Sequence, residues 1–281
     1  MAVKSGSRQC LSNNRWKRSV DWEKIRTALF EKRICDLGLR IKGSPIEPFV
    51  QQLEQELAAK GLNYKPWFYL TDSWGCPDRV PAVGIPFYLA CQSLAQIERE
   101  QTGSLENDQI IMQFLRHEVG HAINYAFRLW KEPGWRATFG SFSKPYRDVF
   151  YPNPWSRRFV RHICSFPYRY TYAQKHPDED FAETFAVWLT PRSGWRRKYR
   201  GWPAIQKLKY VDRLMRRICD QTPKCKRGKL VNPISKLTWS LANTTAARLR
   251  STAKRVNPNL GESPGTERPI LLRKFDYRQN A

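Results

Sequence analysis

The 281-residue chain has seven cysteines but no C-x-x-C pair, and it contains no long apolar run. The absence of paired cysteines argues against a zinc ribbon, and the odd total argues against a disulfide framework. We therefore expect a reducing compartment. Because no run reaches the roughly 18 apolar residues of a membrane span and the first residues lack a secretion signal's apolar core, the sequence predicts a cytoplasmic protein without a transmembrane segment.

Acidic residues are scarce near both ends of the chain, and the formal net charge is +24. Residues 1–33 carry nine Lys and Arg against three Asp and Glu, and residues 190–281 carry 23 against five. Residues 34–189 carry 17 of each sign and are neutral. With 41% hydrophobic and 13% aromatic residues the chain can build a sizeable core. We therefore predict a basic leader (1–33), one central domain (34–219) and a basic tail (220–281).

The motif HEVGH occupies residues 117–121 within the apolar-periodic run IIMQFLRHEVGHAINYAF. In a helix, residues four apart lie on one face, so His117 and His121 can bind one metal ion together. His-Glu-x-x-His on a helix is the pattern of zinc hydrolases, in which the glutamate is the general base. The motif therefore predicts a Zn²⁺ site on a helix over residues 108–130, with Glu118 beside the metal.

Helical and strand patterns surround this motif. Apolar spacing and capping residues predict helices over residues 46–62, 94–100, 177–190 and 203–218. Two strand candidates, residues 64–72 and 82–90, are separated by the turn-rich segment SWGCPDRVP. Pro86 lacks a backbone donor and restricts the second strand to a sheet edge. The pattern indicates an α+β fold.

Two histidines do not complete a catalytic zinc site, which uses three protein ligands and leaves one position for water. The metzincin arrangement would require a glycine at position 124 and a histidine at 127, where this chain has Asn124 and Phe127. That arrangement is therefore excluded, and the third ligand must come from elsewhere.

Four downstream side chains are candidates for the third ligand: His162, His176, Glu179 and Glu183. The two glutamates are four residues apart on the predicted helix 177–190, so they share one face. This spacing suits a pair in which one carboxylate binds the metal and the other accepts a hydrogen bond from a ligand imidazole. We favour Glu179 as the ligand and Glu183 as the supporting carboxylate, with Glu183 and the two histidines as alternatives.

The segments HEVGHAINYAFRLW, YAQKHPDEDFAETFAVWLTP and VGIPFYLA closely resemble a bacterial family of putative zinc-binding metallopeptidases, which are gluzincin-like. The resemblance covers residues 34–218. It implies zinc ligands at His117, His121 and the glutamate of the DEDFAE segment, with Glu118 catalytic. Lethal-factor-type gluzincins have a similar E-x-x-A-E helix whose first glutamate binds zinc, which again indicates Glu179. Family members often carry an amino-terminal zinc ribbon, which this chain replaces with a basic leader.

The resemblance implies a zincin-like metallopeptidase domain with a small antiparallel or mixed sheet and an HExxH active-site helix, flanked by basic extensions. Zinc would lower the pKa of its water to about 7, and Glu118 would take the proton as that water attacks a peptide carbonyl. Tyr172 stands where lethal-factor-like enzymes place a tyrosine that stabilises the oxyanion. Tyr168 and Tyr170 are alternatives for that role.

The expected partner is a protein or peptide substrate. The basic clusters at residues 196–198 and 224–229 could also contact nucleic acid or another polyanion, with Trp195, Tyr199 and Trp202 stacking on bases. An alternative interpretation is therefore a nucleic-acid-associated protein whose zincin domain is inactive or restricted to nucleoprotein substrates.

Overall fold

The computed structural model describes residues 21–147, 150–163 and 171–243. Helices dominate this part of the chain, and a small two-stranded sheet lies beside them. The strands are β1 (Trp67–Thr71) and β2 (Ala82–Pro86), and the helices are α1 (residues 21–31), α2 (Glu47–Ala59), α3 (Gln92–Thr102), α4 (Asp108–Phe127), α5 (Trp135–Phe139), α6 (Pro177–Leu189), α7 (Trp195–Lys198) and α8 (Ala204–Ile218).

The two strands are parallel, so the expectation of an antiparallel or mixed sheet is wrong. All five residues of β2 are buried, as is typical of parallel strands, whose two faces are both covered. The loop between the strands also pairs with the edge of β2 that faces away from β1. There Gly75 and Gly84 exchange backbone hydrogen bonds of 3.3 and 2.7 Å. The strand ends at Pro86, and residues 87–90 form a 3-10 turn where the sequence predicted continued strand.

Helix α4 begins and ends at well-formed caps. The Asn107 side chain accepts a hydrogen bond from the Ile110 backbone N–H at 2.9 Å, which satisfies one of the donors that a helix start leaves without a partner. Arg128 ends the helix in the left-handed conformation, with φ of 54°. Fifteen of its twenty residues are buried, including the whole HEVGH motif.

Helix α6 is buried along its entire length and packs on α4. The two backbones come closest at Gly120, where an added Cβ would lie 2.8 Å from Ala182 Cα and 3.0 Å from Ala182 O. Four acidic residues are buried with this helix, Asp178, Glu179, Asp180 and Glu183. Because a buried carboxylate is costly unless it is paired or hydrogen-bonded, each needs a partner from the surrounding elements.

Residues from both predicted extensions pack against the helices. Leu237 and Leu241 belong to the hydrophobic core, and the backbone of residues 237–241 pairs with residues 32–35. The division at residues 33 and 219 stays a prediction, and the rest of both extensions, residues 1–20 and 244–281, lies outside the described residues.

The aromatic residues near the first basic cluster are mostly in the core. Trp195 is 4% exposed and Tyr199 is 1% exposed, so neither ring offers a face to a nucleic-acid base. Binding of a polyanion by the basic side chains stays a prediction. Within the described ranges, no helix is both long enough and apolar enough to cross a membrane.

Candidate metal centre

The metal-binding pattern of the sequence becomes a compact cluster at the contact between α4 and α6. The Nε2 atoms of His117 and His121 lie 3.1 Å apart, and each is 3.1 Å from Glu179 Oε2. The three residues are at most 3% exposed. They form a group of potential ligand atoms that could hold one metal ion.

The spacing of these three atoms fits zinc. Ligand atoms about 2.0–2.1 Å from a tetrahedral zinc ion are about 3.3 Å from one another, close to the separations found here. Two imidazole nitrogens and one carboxylate oxygen are also a ligand set that catalytic zinc sites use. The residues present therefore fit the metal.

The second nitrogen of each imidazole is held by a buried carboxylate. His117 Nδ1 lies 2.8 Å from Glu183 Oε1, and His121 Nδ1 lies 2.9 Å from Asp178 Oδ2. In the neutral form of each ring, an Nδ1–H that donates to its carboxylate leaves the Nε2 lone pair directed toward the cluster. Glu183 Oε2 accepts a further hydrogen bond of 2.8 Å from the Ile163 backbone N–H, and the supporting role of Glu183 at a metal site stays a prediction.

Asp178 is a part of the centre that sequence reasoning missed. It accepts hydrogen bonds from Tyr125 Oη at 2.6 Å and from Asn124 Nδ2 at 2.7 Å, in addition to the contact with His121. Both donors are on α4, just past the histidines. The only sequence signal for Asp178 is the acidic first turn of α6, which the positive end of the helix dipole also explains.

Glu118 lies between the two histidines on α4 and is 1% exposed. Its negative charge acts on the neighbouring strand as well. Burial raises the pKa of Tyr69 on β1, and nearby negative charges that include Glu118 raise it further.

Two tyrosines lie on the Glu179 side of the centre. Tyr146 Oη donates to Glu179 Oε1 at 3.0 Å and is 2.9 Å from Tyr172 Oη. The Tyr172 ring also meets the His117 ring edge-on, with centroids 5.7 Å apart. Tyr146 was missed because it lies in a Pro- and aromatic-rich segment without helical or strand periodicity. The alternatives Tyr168 and Tyr170 lie outside the described residues.

The carboxylates make both imidazoles more basic. Burial lowers the pKa of His117, but hydrogen bonds to Glu179 and Glu183 outweigh it and raise that pKa to about 10. Burial also lowers the pKa of His121, and the charges of Asp178 and Glu179 outweigh it and raise that pKa to about 9. A metal ion at this site must therefore displace protons, which makes its affinity dependent on pH.

The other two histidines have structural contacts away from the cluster. His176 caps α6 by accepting a hydrogen bond from the Asp178 backbone N–H at 3.1 Å, and its Nε2–H donates to Lys144 O at 2.7 Å. His162 Nε2–H donates to Gln113 O at 3.0 Å. Neither histidine belongs to the group of potential ligands.

Comparison with known proteins gives one family match. Residues 89–245 match the family described as "Putative zinc-binding metallo-peptidase". No curated protein and no solved structure matches the chain. The matched segment is more than half of the sequence and contains the whole cluster of α4 and α6, so the chain belongs to this family of putative zinc-binding metallopeptidases.

Proposed function

We propose that the protein is a zinc-dependent peptidase that hydrolyses peptide bonds, with His117, His121 and Glu179 as zinc ligands. The observation that carries the proposal is the convergence of three ligand atoms at 3.1 Å from one another. Carboxylates that hold both Nδ1 atoms support it, because such contacts fix the orientation of ligand imidazoles in zinc enzymes.

A zinc ion bound there would supply Lewis acidity, lowering the pKa of a water molecule to about 7. Glu118 is the general base in this proposal. Its place in the helix between two ligands puts its carboxylate beside the attacking water, where it takes the proton and later delivers it to the leaving amine. Its burial favours this role because a water-poor site strengthens its electrostatic interaction with the reacting groups.

Tyr172 is the proposed donor to the oxyanion that forms on the peptide carbonyl. Its ring is held against His117, and its hydroxyl lies next to Tyr146 Oη, which itself donates to Glu179. Tyr146 thereby keeps the Tyr172 hydroxyl at the edge of the centre. On substrate binding, the Tyr172 O–H turns from Tyr146 to the carbonyl oxygen.

The test of the base is Glu118→Gln in the full-length, zinc-loaded protein. We expect one zinc per chain by elemental analysis in both proteins and a loss of about 10²–10⁴-fold in cleavage of a peptide library by the variant. Glu54→Gln, an identical change at an exposed position of α2, is the matched control and should cleave like wild type. A Glu118→Gln protein that cleaves as fast as wild type would refute the mechanism.

The test of the ligands compares Glu179→Ala with Glu183→Ala. We expect zinc to be lost with Glu179→Ala, because the variant lacks the carboxylate oxygen that binds the ion. With Glu183→Ala we expect zinc to bind more weakly, because His117 loses only its hydrogen-bond partner. Retention in the first variant and loss in the second would exchange the two roles.

A further inference from the structure

A cleft of about 480 Å³ opens beside the carboxyl-terminal end of α4. Three of its lining side chains are cationic, Arg79, Lys131 and Arg136, and two are aromatic, Trp130 and Phe142. Two serines complete the lining, and none of the lining residues that the structure describes is acidic. The cleft therefore combines positive charge with an apolar wall.

The aromatic wall connects the cleft to the metal centre. Trp130 and Phe142 are stacked, with ring centroids 4.4 Å apart and planes 11° apart. Tyr125 meets both rings edge-on at 6.1 and 6.2 Å. It also lies 6.1 Å from the His121 ring and donates to Asp178. One ring thus separates the cleft wall from a proposed zinc ligand.

The ring contacts set an upper limit on the distance between the cleft wall and the metal centre. Two ring-to-ring steps of 6.2 and 6.1 Å lead from Phe142 through Tyr125 to His121. An extended peptide advances about 3.3 Å per residue. In a straight line, the aromatic wall therefore lies no farther from His121 than about four residues of extended peptide can span.

The three cations are available to a ligand. The guanidinium of Arg79 lies over the Phe142 ring at 5.8 Å, and its contact with Asp78 at 3.8 Å is a loose pair between two exposed side chains. Among the described residues, Lys131 and Arg136 have no ion pair. Glu132, which follows Lys131, is engaged with Arg217 and Lys224 instead.

The backbone that carries Arg79 is strained. Its φ is +56°, in the left-handed region that glycine adopts at little cost and other residues adopt at about 1 kcal/mol or more. Replacement by glycine therefore removes the guanidinium and relieves the backbone in one change. Such a variant separates loss of the charge from loss of the fold.

We propose that this cleft is a substrate subsite that binds an acidic residue of the peptide within about four positions of the scissile bond. The inference rests on the proposed peptidase function. Arg79, Lys131 and Arg136 bind the carboxylate by charge-assisted hydrogen bonds, and the stacked rings contact its methylene groups. The net charge of +24 also favours the approach of acidic peptides to the protein.

The activity test uses the full-length zinc-loaded protein and a library of peptides of mixed sequence. Wild type is expected to release products with Asp or Glu enriched at one position near the cleavage site. Arg79→Gly combined with Lys131→Gln and Arg136→Gln should abolish that enrichment and lower kcat/KM for an acidic peptide tenfold or more relative to a neutral peptide. Arg99→Gln, on the exposed face of α3, is the control for loss of charge alone.

A binding test separates this inference from the proposed function. Zinc-loaded Glu118→Gln protein is titrated with a blocked peptide containing Glu, with its Gln counterpart, and with the Gln peptide ending in a free carboxylate. We expect tighter binding of the Glu peptide, lost in the triple cleft variant. The inference would be overturned if the Glu and blocked Gln peptides bound equally, or if only the peptide with the free terminus bound more tightly. An oligonucleotide is titrated in parallel. If the triple cleft variant lost oligonucleotide binding but kept peptide binding, that result would also overturn the inference. Absence of any cleavage by wild type, with acidic-peptide binding intact, would refute the peptidase proposal and reduce the cleft to a binding site for acidic peptides.

Discussion

Gly120→Ala tests the contact between α4 and α6 on which the metal centre depends. The added Cβ would lie 2.8 Å from Ala182 Cα and 3.0 Å from Ala182 O, both backbone atoms that no rotamer change can move. Ordinary van der Waals contact begins at 3.4 Å. The helices must therefore separate by several tenths of an ångström, and Glu179 moves with α6.

The expected loss is larger for the metal than for the fold. Overpacking costs about 1–3 kcal/mol, but alanine recovers up to about 1 kcal/mol of helix propensity over glycine. Zinc ligand distances tolerate only about 0.2 Å, so displacement of Glu179 from His117 and His121 has no such compensation. We expect zinc affinity to fall at least tenfold and the metal-free protein to be destabilised by about 0–2 kcal/mol.

Zinc affinity is measured by competition with a chromophoric chelator, and stability by denaturant unfolding in EDTA. Gly103→Ala is the control, because Gly103 also has no side chain but a Cβ there meets nothing within 4 Å. It should lower stability through its φ of +72° and leave zinc affinity unchanged. Because the clash is with the backbone, Ala182→Gly should not rescue Gly120→Ala. Wild-type zinc affinity in Gly120→Ala, or restoration in the double variant, would refute the reasoning.

Three further predictions concern the surroundings of the centre. Asp178→Asn should lower zinc affinity about 10–100-fold in the chelator assay because His121 loses its carboxylate; an unchanged affinity would show that Asp178 only supports the fold. Leu237→Ala should cost about 2–5 kcal/mol of unfolding free energy in urea, since Leu237 is 0% exposed; a loss below 1 kcal/mol would remove this segment from the core. Burial lowers the pKa of His162, so the folded state binds fewer protons there than the unfolded chain, and the contribution of His162 to stability should fall as pH drops below about 6.5. Relative to wild type, His162→Gln should therefore gain stability as pH falls below about 6.5 in thermal unfolding of the metal-free protein, and an identical pH dependence in the two proteins would refute this.

Local sequence was sufficient for the parts of the centre that lie within one helix. HEVGH and the four-residue spacing of Glu179 and Glu183 depend only on helical periodicity, and the contacts of both glutamates agree with the pattern. The roles of the ligands and of Glu118 stay predictions, because no measured metal content or activity tests them.

Contacts between segments that are far apart in the chain could not be predicted from the sequence. Asp178 meets α4 residues more than fifty positions earlier, and Tyr146 reaches Glu179 across 33 positions. The direction of β2 relative to β1 depends on the path of the loop between them, which strand propensity does not encode. Composition likewise shows that the segment after residue 219 is basic. It does not show that Leu237 and Leu241 are buried.

The carboxylates of α6 all have partners within the protein. Asp178 and Glu183 each hold one imidazole, Glu179 lies between both, and Asp180 pairs with Lys207. Burial of so much acid is tolerated because every carboxylate has a donor or cation in the protein itself. Protons on the imidazoles, whose pKa values are raised to about 10 and 9, then occupy the place that a metal ion would take. Binding of a metal ion by His117, His121 and Glu179 would accordingly release protons from the two imidazoles, so its affinity should rise with pH.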